Sequence, residues 1–260
     1  MRWKCTCEYD GTGFNGWQSQ PNGNTIQDHI ENRLHWVFGQ KIGIHGSGRT
    51  DAGVHAHGQI FHFDGEWHHG PDKLLRTFRC GLPSPIRVTK AEEVGHDFHA
   101  RFSASGKCYK YYLLEHFPGA FNYRYNWCLG NGHLDFENMQ SLTKPFHGKH
   151  DFSAFCANHG DGSIQNPIKT ICEMNFEKLD RGIVFTVIAD GFLYKMVRML
   201  VGSFVTFGLG KISGEAVLDM LFTGTRKINI DAAPARGLFL HSVDYPSPAE
   251  PTLPIRLKSP

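Results

Sequence analysis

Asp51 stands in the run Ser47-Gly-Arg-Thr-Asp-Ala-Gly-Val-His-Ala-His-Gly-Gln59, a single carboxylate on a glycine-flanked turn. Arg49 lies two residues before it, and a β-prone run, Gln59–Phe63, follows. One carboxylate presented this way, without the usual company of metal ligands, suggests acid, base or nucleophile chemistry on a substrate that arginines can grip. Asp-Ala-Gly also suits an ordinary turn. Two features favour chemistry. Gly48 and Gly53 allow the backbone to approach a neighbour closely, and a distant arginine calls for an anion. That arginine is Arg198, in Phe192-Leu-Tyr-Lys-Met-Val-Arg-Met-Leu-Val, a segment apolar almost all round. Tyr194, Val197 and Val201 share its face at helical spacing. An arginine there either snorkels to the surface or pairs with an anion. Asp51 is the carboxylate in a loop built for presentation, and a guanidinium beside it would keep it ionised and fix it bidentately.

Other residue types admit weaker readings. Tyr109 and Tyr111 fall on one face of a strand, with Lys107 and Lys110 beside them. They are either core aromatics or an aromatic-and-basic surface on which nucleobases stack. His55 and His57, with His62 beyond them, could share a strand face as metal ligands do. No cysteine or carboxylate stands at a recognisable ligand spacing, so no metal site is assigned. Neither a Walker loop nor a Gly-x-Gly-x-x-Gly after a strand is present, which argues against a nucleotide cofactor.

The elements that must position these residues read as a mixture of helices and hairpin-forming strands. A strand over Trp3–Tyr9 leads through a glycine-rich loop to a helix that Asn24 or Thr25 can cap, with Ile26, Ile30, Leu34 and Val37 at helical spacing. Strands are expected at Lys41–Ile44, Gln59–Phe63 and Ile86–Glu93, and a helix at Pro71–Cys80. After a boundary near Arg101–Gly106 come a strand at Lys107–Glu115, a helix at Asp135–Phe146 and strands at Thr170–Lys178 and Gly182–Asp190. Helices at Phe192–Leu209 and Gly214–Phe222 and a strand at Gly237–Tyr245 follow. The expected division is 1–103, 104–245 and an irregular proline-rich tail over 246–260. This is an α+β pattern, and no internal sequence repeat is evident.

The 260 residues carry a net charge of +2, and 40% are hydrophobic, an ordinary composition that does not by itself announce a nucleic-acid binder. Basic residues cluster from Lys73 to Lys110, as they also would on any solvated face. Seven scattered cysteines do not form a disulfide framework. With no signal-like N-terminus, and with Lys195 and Arg198 interrupting the most apolar segment, the expectation is a cytoplasmic protein without a membrane span.

Taken together, the motifs resemble the tRNA pseudouridine synthase A (TruA) family over nearly the whole chain. They are Glu8-Tyr-Asp-Gly, Gly16-Trp-Gln, Thr25-Ile-Gln, Gly48-Arg-Thr-Asp-Ala-Gly-Val-His and Phe98-His-Ala-Arg-Phe-Ser-Ala. Further along come Tyr109-Lys-Tyr, Asp151-Phe-Ser-Ala-Phe, Phe192-Leu-Tyr-Lys-Met-Val-Arg and Ala233-Pro-Ala-Arg-Gly-Leu. The resemblance implies two RRM-like (ferredoxin-like) α+β halves forming a central, mostly antiparallel sheet flanked by helices, with a cleft between the halves. It implies a homodimer that isomerises uridines at positions 38, 39 and 40 of the tRNA anticodon arm, with no cofactor and no metal. It casts Asp51 as the catalytic aspartate, Arg198 as the arginine paired with it and Tyr109 as the tyrosine against the target base. Arg49 would hold the place of the flipped nucleotide, and Leu238 would line the pocket. Cys108 and Lys169 depart from the family pattern, at positions that bear on RNA affinity rather than chemistry. The alternatives are a non-catalytic RNA-binding protein on the same surface and, last, a histidine-metal hydrolase.

Overall fold

The computed structural model describes residues 1–130, 132–157 and 166–246. Among them, ten strands and five α-helices succeed one another along the chain. The first part holds β1 (Arg2–Tyr9), α1 (Ile26–Phe38), β2 (His45–Gly46), β3 (His55–Asp64), α2 (Pro71–Arg79) and β4 (Ile86–Val94). Then come β5 (Gly106–Leu114), β6 (Trp127–Cys128), α3 (Phe136–Leu142), β7 (Gly148–Asp151), β8 (Ile168–Leu179) and β9 (Gly182–Ala189). The chain continues through α4 (Met196–Gly208), α5 (Gly214–Thr223) and β10 (Leu238–Asp244). Strand pairing is mostly antiparallel, and the class is α+β. Two compact units form, one from Met1–Ser105 with Phe239–Pro246, the other from the described residues within Gly106–Leu238.

In the first unit β1 lies between β4 and β3, antiparallel to both. The other edge of β3 takes β2 antiparallel and the first residues of β10 parallel. This β–α–β–β–α–β succession, with the first strand beside the third and fourth, is the RRM-like arrangement. Strict alternation on β1 buries Trp3, Cys5, Cys7 and Tyr9, so the two cysteines share one face as β geometry requires. Ile26, Ile30 and Leu34 of α1 and Leu74 and Phe78 of α2 supply helical faces to the same core, which includes Phe61 and Phe63. Thr25 caps α1 in a reciprocal capping box with Asp28.

The second unit runs β5–β6–α3–β7–β8–β9–α4–α5. β5 lies between β9, antiparallel, and the short parallel β6, while β8 and β7 extend the sheet beyond β9. Its core is a phenylalanine cluster in which Phe204 of α4 packs on Phe146, Phe176 and Phe185.

Several boundaries differ from expectation for local physical reasons. α4 begins at Met196, not Phe192, because Lys195 sits in the left-handed region at φ 57°, where a helix cannot continue backward. Tyr194 is therefore outside the helix and does not share the face of Arg198. The expected helix to Phe146 stops at Leu142; Pro145 cannot donate a helical hydrogen bond, and Lys144–Phe146 closes as a 3₁₀ turn. Lys41–Ile44 is not a strand. The Ile44 N–H donates to Glu31 Oε1 at 3.0 Å instead of to a neighbouring strand. β3 starts four residues earlier than expected, at His55, where β10 pairs with His55 and Ala56. Apart from Pro246, the proline-rich tail lies outside the described residues.

His62, on β3, is buried within a ring cluster of His45 (centroids 5.0 Å apart) and His99 (4.6 Å), and its Nδ1 accepts the Ala100 N–H at 3.1 Å. Burial, aided by the His99, Arg2 and His45 charges and opposed by Asp64, pulls its pKa from 6.5 down to about 4. The unfolded chain therefore binds the proton first. His62 leaves stability intact above pH 6.5 and withdraws it progressively as pH falls from there to about 4. Urea unfolding should show a loss of about 2 kcal/mol from this group between pH 7 and pH 5. His62→Asn, which keeps an acceptor for Ala100, should flatten that acid limb; an unaltered limb would reject the assignment.

Candidate active site

Asp51 is half-buried on the irregular segment between β2 and β3, and a turn follows it in which the Val54 N–H donates to the Asp51 carbonyl at 3.1 Å. Gly53 occupies φ 78°, which only glycine adopts without strain. A close backbone approach is made from the opposite side, at Gly11 and Gly16. A Cβ on Gly16 would lie 2.6 Å from the Thr50 carbonyl oxygen, and one on Gly11 would lie 2.0 Å from that of Val54. These two glycines let the Asp10–Trp17 segment pack directly on the loop, with Trp17 N–H donating to the Thr50 carbonyl at 3.1 Å.

Side chains complete the fixation. Tyr9 Oη and Thr50 Oγ1 form a buried hydrogen bond of 2.8 Å. Ser47 Oγ donates to Gln59 Oε1 at 2.6 Å, and Gln59 Nε2 donates to the Gly48 carbonyl at 3.0 Å. Residues 47, 48 and 50 are thus held from inside, while Arg49 between them is exposed and reaches Gln18 Oε1 at 3.3 Å. Sequence reasoning missed Tyr9, Ser47, Thr50 and Gln59 as members of this site. A signal existed in Gln59, a carboxamide on the same side of β3 as the core residues Phe61 and Phe63.

The second unit carries the other expected residues. Tyr109, on β5, is 8% exposed, with Phe192 edge-on to its ring at 5.0 Å. Tyr111 is fully buried and is a core residue; its hydroxyl donates to the Pro234 carbonyl at 2.7 Å. Arg198, half-buried in the first turn of α4, donates from Nε to the Ala233 carbonyl at 2.6 Å, and the Ala233 N–H returns a bond to the Arg198 carbonyl at 2.9 Å. Burial pushes the Tyr111 hydroxyl far above its usual range, against a smaller opposing pull from Arg198 and Arg236. Leu238 is buried at the start of β10. Before it, Gly237 lies flat on Tyr111, where a Cβ would come within 2.7 Å of the ring. Arg198, Tyr111 and the Ala233–Leu238 segment therefore form one packed group, while Arg49 and Asp51 stand on the loop of the first unit.

The three histidines do not converge. His55 and His57 both stack on Phe239, at 4.6 and 5.0 Å, whereas His62 belongs to the cluster with His45 and His99. Among the described residues, no three His, Cys, Asp or Glu side chains are grouped to hold a metal ion. No helix among them is long and apolar enough to cross a membrane.

Residues 6–103 and 142–246 match a family model described as tRNA pseudouridine synthase. The chain is 38% identical over 243 residues to tRNA pseudouridine synthase A of Acetivibrio thermocellus, covering 93% of this chain and 98% of that protein. It is 38% identical over 248 residues to the protein of the same name from Bacillus subtilis, covering 94% and 99%. Against that of Methylacidiphilum infernorum it is 39% identical over 251 residues, covering 95% and 97%.

The glycine contacts yield a direct expectation. Gly16→Ala, with φ at 83° and a carbonyl in the way, should destabilise the chain by roughly 2 kcal/mol or more in urea unfolding. An unchanged midpoint would show that the loop can withdraw from Gly16 freely.

Proposed function

The chain belongs to the tRNA pseudouridine synthase family and is an isomerase of tRNA processing; from that premise we propose that it converts uridine to pseudouridine at positions 38, 39 and 40 of the anticodon arm, using Asp51 and no cofactor. The observation that carries this reading is the Asp51 loop, a carboxylate on irregular backbone whose preceding residues Ser47, Gly48 and Thr50 are held by hydrogen bonds from Gln59 and Tyr9. A carboxylate so supported is oriented before substrate arrives.

The reaction breaks the bond between the sugar and N1, rotates the base and forms a bond from the sugar to C5. The C5 proton is lost and N1 gains one, so no group enters or leaves and the chemistry calls for no carrier. An ionised Asp51 serves in any of three ways: attacking the sugar, attacking the base, or removing a sugar proton. The target nucleoside must leave its stack to reach a carboxylate, at a few kcal/mol. Arg49, exposed beside Asp51, is suited to the position the nucleotide vacates. Tyr109, nearly buried and held edge-on by Phe192, offers a ring fixed in orientation against the base, with Leu238 as apolar lining. Arg198 is assigned to pair with Asp51; its anchoring to Ala233 through Nε supports a guanidinium fixed in orientation. Phosphate contacts from the Lys73–Lys110 region would weaken as salt rises. The homodimer and the cytoplasmic setting rest on the family resemblance.

Two outcomes test the reading. With unmodified tRNA, Asp51→Asn should lower pseudouridine formation by more than about 10³-fold while tRNA affinity stays within about threefold. Normal turnover by that variant would remove Asp51 from its role, and tRNA binding without turnover by the native protein would leave a non-catalytic RNA binder. For Arg198, a cycle of Arg198→Leu and Asp51→Asn should give a coupling of at least about 1 kcal/mol in stability. Simple additivity would dissolve the pair.

A further inference from the structure

We propose that Gln59 is a positioning residue for Asp51, setting the pitch of the loop through its hydrogen bonds to Ser47 and Gly48. The inference rests on the assignment of Asp51 above and adds to it the residue that holds the carboxylate in place.

Gln59 has no exposed surface. It stands opposite Cys7 in the β1–β3 register, on the side of β3 shared by the core residues Phe61 and Phe63. A carboxamide in such surroundings is unfavourable unless both its ends are bonded. Both are, and both bonds go to the same short stretch of chain. The Gly48 carbonyl can only accept, so it must face the amide NH₂; the Ser47 hydroxyl therefore donates to the amide oxygen. One side chain thus ties down the two residues before Arg49, across a separation of 11 and 12 positions in sequence.

The location on β3 gives these bonds their directional effect. Directly before Gln59 the β1–β3 ladder is irregular, passing from Cys7↔Gln59 to Tyr9↔Ala56 with one extra residue on β3. A bulge of this kind redirects the strand. On its far side Tyr9 holds Thr50, the residue between Arg49 and Asp51. Gln59 therefore fixes the entry to the loop and Tyr9 its middle, and the carboxylate follows directly. A shift of the entry by about 1 Å is enough to lower a rate by about 10²-fold without any loss of substrate contacts.

A purely architectural Gln59 would behave differently, and the contrast can be measured. In the Ser47→Ala/Gln59→Leu double variant the hydroxyl and the amide oxygen that pair with each other are both removed, which restores part of the stability that Gln59→Leu alone loses, the Gly48 carbonyl still lacking its donor. The experiment compares the native protein with Gln59→Leu, Gln59→Glu, Ser47→Ala and the double variant. It reads single-turnover pseudouridine formation on unmodified tRNA, tRNA affinity and the urea midpoint. The expected result is a single-turnover rate roughly 10- to 100-fold lower in the double variant, with affinity within about threefold and a midpoint above that of Gln59→Leu. Gln59→Glu keeps the acceptor for Ser47, regains a donor for Gly48 only when protonated, and should recover rate relative to the double variant as pH is lowered. A native rate in the double variant overturns the proposal, as does a parallel fall of rate and affinity. Should Gln59→Leu fail to fold, Ser47→Ala and Gln59→Glu still decide, since native rates in both overturn it. If the native protein forms no pseudouridine, or Asp51→Asn retains activity, the assignment of Asp51 falls and takes this inference with it. If Asp51 proves essential and the Gln59 and Ser47 variants turn over normally, this inference alone fails.

Discussion

The chain from Ser47 to Val54 forms neither helix nor strand, so its polar backbone and side-chain groups must be satisfied by partners from other elements. That requirement organises much of the first unit. Trp17 N–H answers the Thr50 carbonyl, the Gln59 amide answers the Gly48 carbonyl, and the Tyr9 hydroxyl answers Thr50. The approach is close enough that Gly11 and Gly16 leave no room for a Cβ. Motifs scattered over some fifty positions, Glu8-Tyr-Asp-Gly, Gly16-Trp-Gln and the Asp51 run itself, are in consequence one object in space. Removing a member leaves a buried donor or acceptor behind, which is more unfavourable than the net strength of the bond suggests.

The second unit solves the same problem around Tyr111. Its hydroxyl is bound to the Pro234 carbonyl and its ring is covered by Gly237, while Arg198 and Ala233 exchange hydrogen bonds through side chain and backbone. The Ala233-Pro-Ala-Arg-Gly-Leu segment is shaped by these contacts: a proline leading into a 3₁₀ turn, a glycine where the ring requires bare backbone, then an apolar residue opening a strand. Burial of Tyr111 keeps its hydroxyl a neutral donor well beyond physiological pH, so this support does not titrate in the working range.

What could be read in the sequence is what is local. The alternation on β1, the helical spacing and cap of α1 and the α+β class depend on neighbours within a few positions, and the structure has them. Boundaries were lost where one residue behaved against type. Lys195 is a good helix former placed in a left-handed conformation, so nothing in its identity marks the start of α4. Pro145 did carry a visible stop signal, and the 3₁₀ turn follows it. At the candidate site, Asp51 and Arg49 were legible because glycines and charge mark a presentation loop. The partners Gln59 and Tyr9 were not, because a pairing across 12 or 41 positions exists only once strand register is set, and that register includes a bulge. The histidines illustrate the same limit, since spacing alone grouped His62 with His55 and His57, while packing gave it to His45 and His99.

The arrangement also bears on why a loop, rather than a strand, should carry the carboxylate. On a strand, successive side chains alternate between faces, and a charged residue two positions from another shares its face with a fixed spacing and direction. The Asp51 loop keeps an alternation of a different kind: Ser47, Gly48 and Thr50 are tethered inward, Arg49 is exposed, and Asp51 follows in a turn closed by a glycine at positive φ. A cation and an anion are thereby offered from one short segment without burying either completely. Placement of the carboxylate is set here by hydrogen bonds that reach the loop from Tyr9 and Gln59, outside it.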